Sequence, residues 1–504
     1  MIEKEKKGLQ YQIQKLGKHT AIYGFGSLSS KAVAFFLIPL YTHFLTPADY
    51  GVLQLIYITT EVISVIIGLR LATTVFRFYH EVEDYNTKKT VVSTALIGVL
   101  IMGTGLVAPI LVIAPRMSSL ILEGEQQAWL LRIALISLWL QLPISVVTSY
   151  IQVKEKSVFF VCVSLSRLIG SVLLNIYFVA IAKIGVLGIL VSTLIVDTIA
   201  ASVLIPYFIR VNRLHFSLAW FKKMLRFSTP LIPGSLASMI THASDRYFIR
   251  AYLTLSDTGI YSLGYRMGSS IHALCYVPFG QIWSARRFAI EKDADAKVIY
   301  AKICTYFIGV LCFVGLGMSL FGSDIISIIS PQEYWEAADI LPLIVLCYTI
   351  YAIEDHVSTG IWLSKKTERI AEVTILTAVI NLCMNFLLIP KFGMYGAIAS
   401  TLVTFVCRDA GLYLMAKNLF PIPFEWGRLS GILFLCGLLY IVGDQLSELN
   451  FYLRSTIRIG LWGTYLVIFV LVFLGRTEKA KIKQVIISSI SAFIRRKCYL
   501  RVSN

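Results

Sequence analysis

The chain of 504 residues is 57% hydrophobic and 15% charged, with a net charge of +17. A soluble domain carries roughly 45–50% apolar and 25% charged residues, so this composition excludes an ordinary water-soluble fold. The apolar residues come in long blocks instead of ten-residue alternation; since open sheets and loops cannot face lipid, this leaves a bundle of membrane-spanning helices. Residues 1–18 are polar and the first apolar block is too long for a signal-peptide core, so the first span is expected to stay in the mature protein.

Hydropathy and helix breakers predict spans near 20–45, 49–76, 90–114, 128–151, 157–182, 185–209, 224–252, 258–285, 298–330, 338–363, 369–389, 394–418, 429–446 and 455–474. The fold class is therefore an all-α integral membrane protein of about 14 transmembrane helices. Connections after the even-numbered spans are rich in basic residues, among them Lys88, Lys89, Lys154, Lys156, Lys222, Lys223, Arg286, Arg287, Lys365 and Lys366. The other set offers little beyond Arg116, Lys183, Arg250, Lys391 and Arg454. Positive charge marks the cytoplasmic side, which places the rich connections and both termini there. Topology and contact with anionic lipid account for the net charge, and nucleic acid is not an expected partner. Beyond residue 474, Ile482, Val485, Ile486, Ile490 and Phe493 fall on one face of an expected amphipathic tail helix.

An internal repeat runs through the chain at an offset of 208 residues. Residues 26–30 (GSLSS) match 234–238 (GSLAS), 45–51 (LTPADYG) match 253–259 (LTLSDTG), and 183–194 (KIGVLGILVSTL) match 391–402 (KFGMYGAIASTL). An offset of six spans returns the chain to the same side of the membrane, so the halves are expected to be parallel repeats. The expected organisation is an N-lobe (1–209), a C-lobe (210–418), two further helices (419–474) and a cytoplasmic tail (475–504). Transporters commonly place their substrate between two such lobes.

Ionisable residues inside spans are costly unless they face a wet cavity or a partner. The candidate cavity cations are Lys31, Arg246, Arg266, Arg167 and Arg408. The candidate groups for coupling to H⁺ or Na⁺ are Glu61, Asp197, Asp245, Glu354, Asp355 and Asp409. Lys31 lies about 16 Å along its helix, too deep to snorkel with ease, and either lines a cavity or pairs with Glu61. Arg70 and Arg77 are expected to reach the headgroups. Arginine suits an anionic cargo because its planar fork grips phosphate at two points.

Several other signals point away from enzymes and metals. The histidines show no metal-ligand spacing, there is no Walker A motif, the nine cysteines include no CxxC, and Asp293 and Asp295 fall in a short solvated loop. No cofactor is expected beyond a coupling ion. Pro230 and Pro233 predict a kink near the start of the seventh span, as a hinge or as a static bend.

The segments SLSSKAVAFFLIPLYTHFLTPADYGVLQL, TPLIPGSLASMI with the following SDRYFI and GIYSLGYRM, and KFGMYGAIASTL resemble a known family over residues 15–420. It is the family of polysaccharide transporters, or Wzx-type O-antigen and teichuronic-acid flippases, within the multidrug/oligosaccharidyl-lipid/polysaccharide exporter superfamily. The resemblance implies two six-helix lobes of MATE-like architecture, a cationic central cavity and ion-coupled alternating access. It also implies that Lys31, Arg246 and Arg266 line that cavity. The expected cargo is an undecaprenyl-pyrophosphate-linked oligosaccharide, with membrane lipids and a polysaccharide polymerase machinery as partners in the cytoplasmic membrane. A multidrug or small-molecule exporter, which wants an acidic or aromatic cavity, is the alternative. A membrane glycosyltransferase or polymerase fits less well, because no connection is long enough to hold acceptor chemistry outside.

Overall fold

The computed structural model describes residues 36–68, 70–122, 124–446, 449–475 and 479. The predicted first span as far as residue 35, Lys31 within it, and the amphipathic tail lie outside the described residues. The described residues form helices and no strands, and ten of those helices are long and apolar enough to cross a membrane. The chain is a multi-pass membrane protein.

The predicted second span is two helices, α1 (Pro47–Gly68) and α2 (Leu71–Glu81), parted at Arg70, which takes a left-handed conformation with φ 52°. Four long helices follow as expected: α3 (Tyr85–Leu122), α4 (Ala128–Val153), α5 (Ser157–Asn175) and α6 (Gly185–Asn212). The predicted seventh span differs. Residues from Leu218 to Ser228 form a separate amphipathic helix, α7, with Lys222, Lys223 and Arg226 exposed, and the spanning helix α8 runs Leu231–Tyr252. Pro230 caps α8 and Pro233 lies in its first turn, where a missing N–H breaks no helix bond. The two prolines therefore separate two helices instead of kinking one.

Next come α9 (Leu255–Ile271), α10 (Val277–Ile290), α11 (Ala296–Leu320), α12 (Gly322–Ile329) and α13 (Ala337–Tyr351). The predicted tenth span breaks after α13 into two short pieces, α14 (Glu354–Val357) and α15 (Thr359–Leu363). α16 (Glu368–Lys417) joins the predicted eleventh and twelfth spans across a bend at Gly393, and α17 (Trp426–Asp444) and α18 (Phe451–Ile468) complete the described chain. α8 and α9 fall short of the apolarity of a typical span because Ser, Thr and Arg interrupt them.

The chain divides into two compact units. The first comprises the described residues up to Tyr265, Ile326–Ile340 and Ala371–Cys407. One hydrophobic core packs Leu71, Val75 and Phe78 of α2 against Val92 and Leu96 of α3, Leu135 of α4 and Phe208 of α6. The residues of the repeat show the same local geometry in both copies. Asp49 and Asp257 each accept from the backbone N–H and hydroxyl of the threonine three residues earlier, Thr46 and Thr254, while each threonine hydroxyl accepts the aspartate N–H. These are reciprocal capping boxes that start α1 and α9. Gly185 and Gly393 both take φ 59°, the left-handed conformation that glycine tolerates best. Gly51 and Gly259 face each other so closely that a Cβ on Gly51 would lie 3.1 Å from the Gly259 nitrogen and overlap the Leu255 carbonyl oxygen.

The second unit comprises Arg266–Ile325, Leu341–Ile370 and the described residues from Arg408 onward. Here α11 packs on α17 and α18, and the Tyr465 hydroxyl donates to the Gly309 carbonyl at 2.8 Å. Trp462 stacks on Phe313 with ring centroids 4.6 Å apart. Asp324 accepts hydrogen bonds from both Arg454 and Arg458, so Arg454, read from the sequence as part of an outside connection, is an ion-pair partner in this core.

Candidate functional site

Among the described residues, most of the ionisable candidates read from the sequence gather in three places. The first lies within the first unit, among α1, α4, α5 and α6. Asp197 is 1% exposed, and each of its oxygens accepts one hydrogen bond: Oδ1 from Arg167 Nη2 at 2.6 Å and Oδ2 from Gln141 Nε2 at 2.7 Å. Arg167 and Asp197 are 30 residues apart, on neighbouring helices. A buried carboxylate needs this pairing to offset its lost hydration. Two cavities of about 330 Å³ each adjoin here, sharing Gln141 and Thr193 in their walls. One extends along α1 to Glu61; the other reaches Arg167 and Asp197.

The second place, also in the first unit, is the adjacent pair Asp245 and Arg246 on α8. Arg246 is 7% exposed, and its Nη1 donates to Asp245 Oδ1 and to the His242 carbonyl, each at 2.6 Å. The guanidinium carbon lies 3.7 Å from the centre of the Tyr265 ring, and the Tyr261 hydroxyl donates to Asp245 Oδ2 at 2.5 Å. The charge of Arg246 is thus met on every side by a carboxylate, a carbonyl and an aromatic face. Close by, α8 and α16 share an uncharged network in which Ser244 donates to Asn381 at 2.9 Å and Asn385 donates to Ser244 at 3.0 Å.

The third place is in the second unit, at the break after α13. Helix continuity is lost there without a proline; Ile353 N–H donates to the Ile350 carbonyl and His356 N–H to the Ile353 carbonyl, which are tight three-residue turns. These turns place Glu354 and Asp355 in partly buried positions and His356 in a buried one. Glu354 Oε1 accepts from Arg408 Nη2 at 2.6 Å. Asp355 accepts from Tyr276 at 2.7 Å and from Arg287 at 3.3 Å. Several buried polar atoms there have no hydrogen-bond partner: both oxygens of Asp409, both ring nitrogens of His356, and further nitrogens of Arg287 and Arg408. Phe279, Trp283 and Phe307 enclose the His356 ring. Groups of this kind need a proton, an ion or water beside them.

The structure thus pairs Arg167 with Asp197, Arg246 with Asp245, and Arg408 with Glu354. Arg266 is half-buried on α9. Lys31 lies outside the described residues; Glu61 is exposed in the wall of its cavity. Sequence reasoning missed Gln141, because a lone glutamine in an apolar span carries no motif. It also read Arg287 as a loop residue, whereas α10 continues to Ile290 and buries Arg287. The i, i+4 spacing of Trp283 and Arg287 was the available signal.

Residues 16–283 match a family model described as polysaccharide biosynthesis protein. The structure is similar to the lipid II flippase MurJ in an inward closed conformation, with a TM-score of 0.73 at 14% identity, covering 89% of this chain and 98% of that one. It is also similar to a multidrug resistance MATE family transporter of the MOP superfamily in an inward-facing conformation, with a TM-score of 0.61 at 13% identity over 79% of this chain and 94% of that one. A Vibrio cholerae MATE transporter matches with a TM-score of 0.54 at 14% identity, over 80% of this chain and 96% of that one. At such identities the likeness is one of fold. No curated protein sequence matches the chain.

Proposed function

We infer a function from the fact that the chain belongs to the polysaccharide biosynthesis protein family: it is a flippase that carries an undecaprenyl-pyrophosphate-linked oligosaccharide across the cytoplasmic membrane. The observation that carries this reading is the family match over residues 16–283, on a fold that a lipid II flippase shares over 89% of this chain. Both termini lie in the cytoplasm, and cargo passes from the inner to the outer leaflet, where a polymerase machinery receives it. The two repeats act as lobes that rock in alternating access, with the saccharide and diphosphate shielded from lipid while the polyprenyl tail stays in the bilayer.

Ion coupling falls to the acidic residues. Glu354 and Asp409 are the strongest candidates, since Asp409 is buried with neither oxygen hydrogen-bonded and Glu354 has one buried oxygen, Oε2, without a hydrogen-bond partner. Lys31, Arg266, Arg246, Arg167 and Arg408 are the candidate diphosphate contacts, the last three each held in an ion pair with a carboxylate.

Deletion of the gene in its host tests the reading. Lipid-linked saccharide should accumulate in the inner leaflet while the surface polymer disappears, and the wild-type chain should reverse both. Loss of drug efflux with unchanged surface polymer would favour the exporter alternative.

A further inference from the structure

The paired cavities of the first unit have a lining that decides which part of such a cargo they can hold. Three of their hydroxyls are committed as donors to their own helices: Thr60 to the Ile56 carbonyl at 2.9 Å, Ser164 to Phe160 at 2.9 Å and Thr193 to Ile189 at 3.0 Å. What these groups turn to the cavity is oxygen lone pairs. Gln141 spends one N–H on Asp197, which leaves its carbonyl oxygen as an acceptor and its second N–H as a donor. Glu61 adds a carboxylate, and since Arg167 is balanced by Asp197, the described lining residues carry a net negative charge.

Ser137 provides an independent pointer to a ligand. It is 3% exposed, lines the cavity, and its hydroxyl has no hydrogen-bond partner. A buried hydroxyl without a partner costs stability unless something fills the cavity and bonds to it. Each cavity, at about 330 Å³, is within the range that holds small polar ligands.

We propose that the cavity lined by Glu61, Ser137, Gln141 and Thr193 is a binding site for an uncharged, hydroxyl-rich sugar ring, and that it rejects phosphate and uronate. A sugar's hydroxyls both donate and accept, and so match a wall of hydroxyls, an amide and a carboxylate, whereas an anion meets Glu61. This assignment rests on the flippase reading, and it places the saccharide within the first repeat and the diphosphate elsewhere.

The test titrates the purified full chain in detergent with three probes: polyprenyl diphosphate alone, the same lipid carrying one neutral hexose, and the same lipid carrying one hexuronate. The expected result is about tenfold tighter binding of the hexose probe than of the bare lipid, as two or three added hydrogen bonds supply, with no gain for the hexuronate probe. Glu61→Gln and Gln141→Ala should bring the hexose probe down to the affinity of the bare lipid and leave the bare lipid unchanged. Ser137→Ala removes a hydroxyl that the fold does not use, so it should keep or raise the melting temperature while weakening the hexose probe alone by a few-fold. Equal binding of all three probes, or variants that weaken every probe alike, overturns the sugar site while leaving the flippase reading intact. Failure of the chain to bind any of the lipids overturns the flippase reading and this inference with it.

Discussion

Replacing Arg246 with alanine separates a structural charge from a cargo-binding one. The guanidinium is 7% exposed and bonded to Asp245, which is 2% exposed. Its removal strands a buried carboxylate that keeps only the Tyr261 hydroxyl and the Arg246 backbone N–H. Breaking one side of such a pair costs about 3–5 kcal/mol. Loss of the guanidinium from the Tyr265 face, 3.7 Å away, adds up to about 2 kcal/mol. The expected outcome is low abundance and a lowered melting temperature, read by fluorescence-detected size exclusion of a tagged chain in detergent. Arg246→Lys keeps the charge and should lose only part of the stability, because a lysine cannot stack its head flat on the ring. The double change Asp245→Asn with Arg246→Met should recover most of what Arg246→Ala loses. A chain with Arg246→Ala that is as abundant and as heat-stable as wild type, yet inactive in export, would refute this reasoning and return Arg246 to the cavity.

Gly51→Ala and Gly259→Ala should each destabilise by about 1–3 kcal/mol or more, since the new methyl meets backbone instead of a side chain that can turn away; thermal melts check this. Arg408→Ala should cost about 3–5 kcal/mol by stranding Glu354, and Glu354→Gln in the same chain should restore much of it, as melting curves would show. Single cysteines at Asn86 and Gln332, both exposed, report topology: a membrane-impermeant reagent added outside should label the second and spare the first, and the reverse pattern would invert the orientation.

Long apolar blocks made the helical class and most spans legible in the sequence, because lipid allows a chain few other solutions. The repeat was legible for a related reason. Thr46 and Asp49 recur as Thr254 and Asp257 where a helix must be capped, and Gly185 recurs as Gly393 where the backbone turns left-handed. Local geometry of this kind writes itself into short motifs. The breaks were harder to see: the tenth span fails at Ala352 and Ile353, two residues with no helix-breaking chemistry, beside a group of buried charges. Ion-pair partners were the least legible. Arg167 finds Asp197, 30 residues away, and Arg408 finds Glu354, 54 residues away, through packing that no periodicity encodes.

The central claim is tested most directly by reconstituting the purified chain into liposomes that carry a fluorescent undecaprenyl-pyrophosphate-linked saccharide in both leaflets. A membrane-impermeant quencher added outside then reports the leaflet of each molecule. With the chain present and an H⁺ or Na⁺ gradient imposed, the protected fraction should fall well below the half that empty liposomes retain. A protected fraction that stays at the value of empty liposomes, with the chain folded and inserted, would contradict the account.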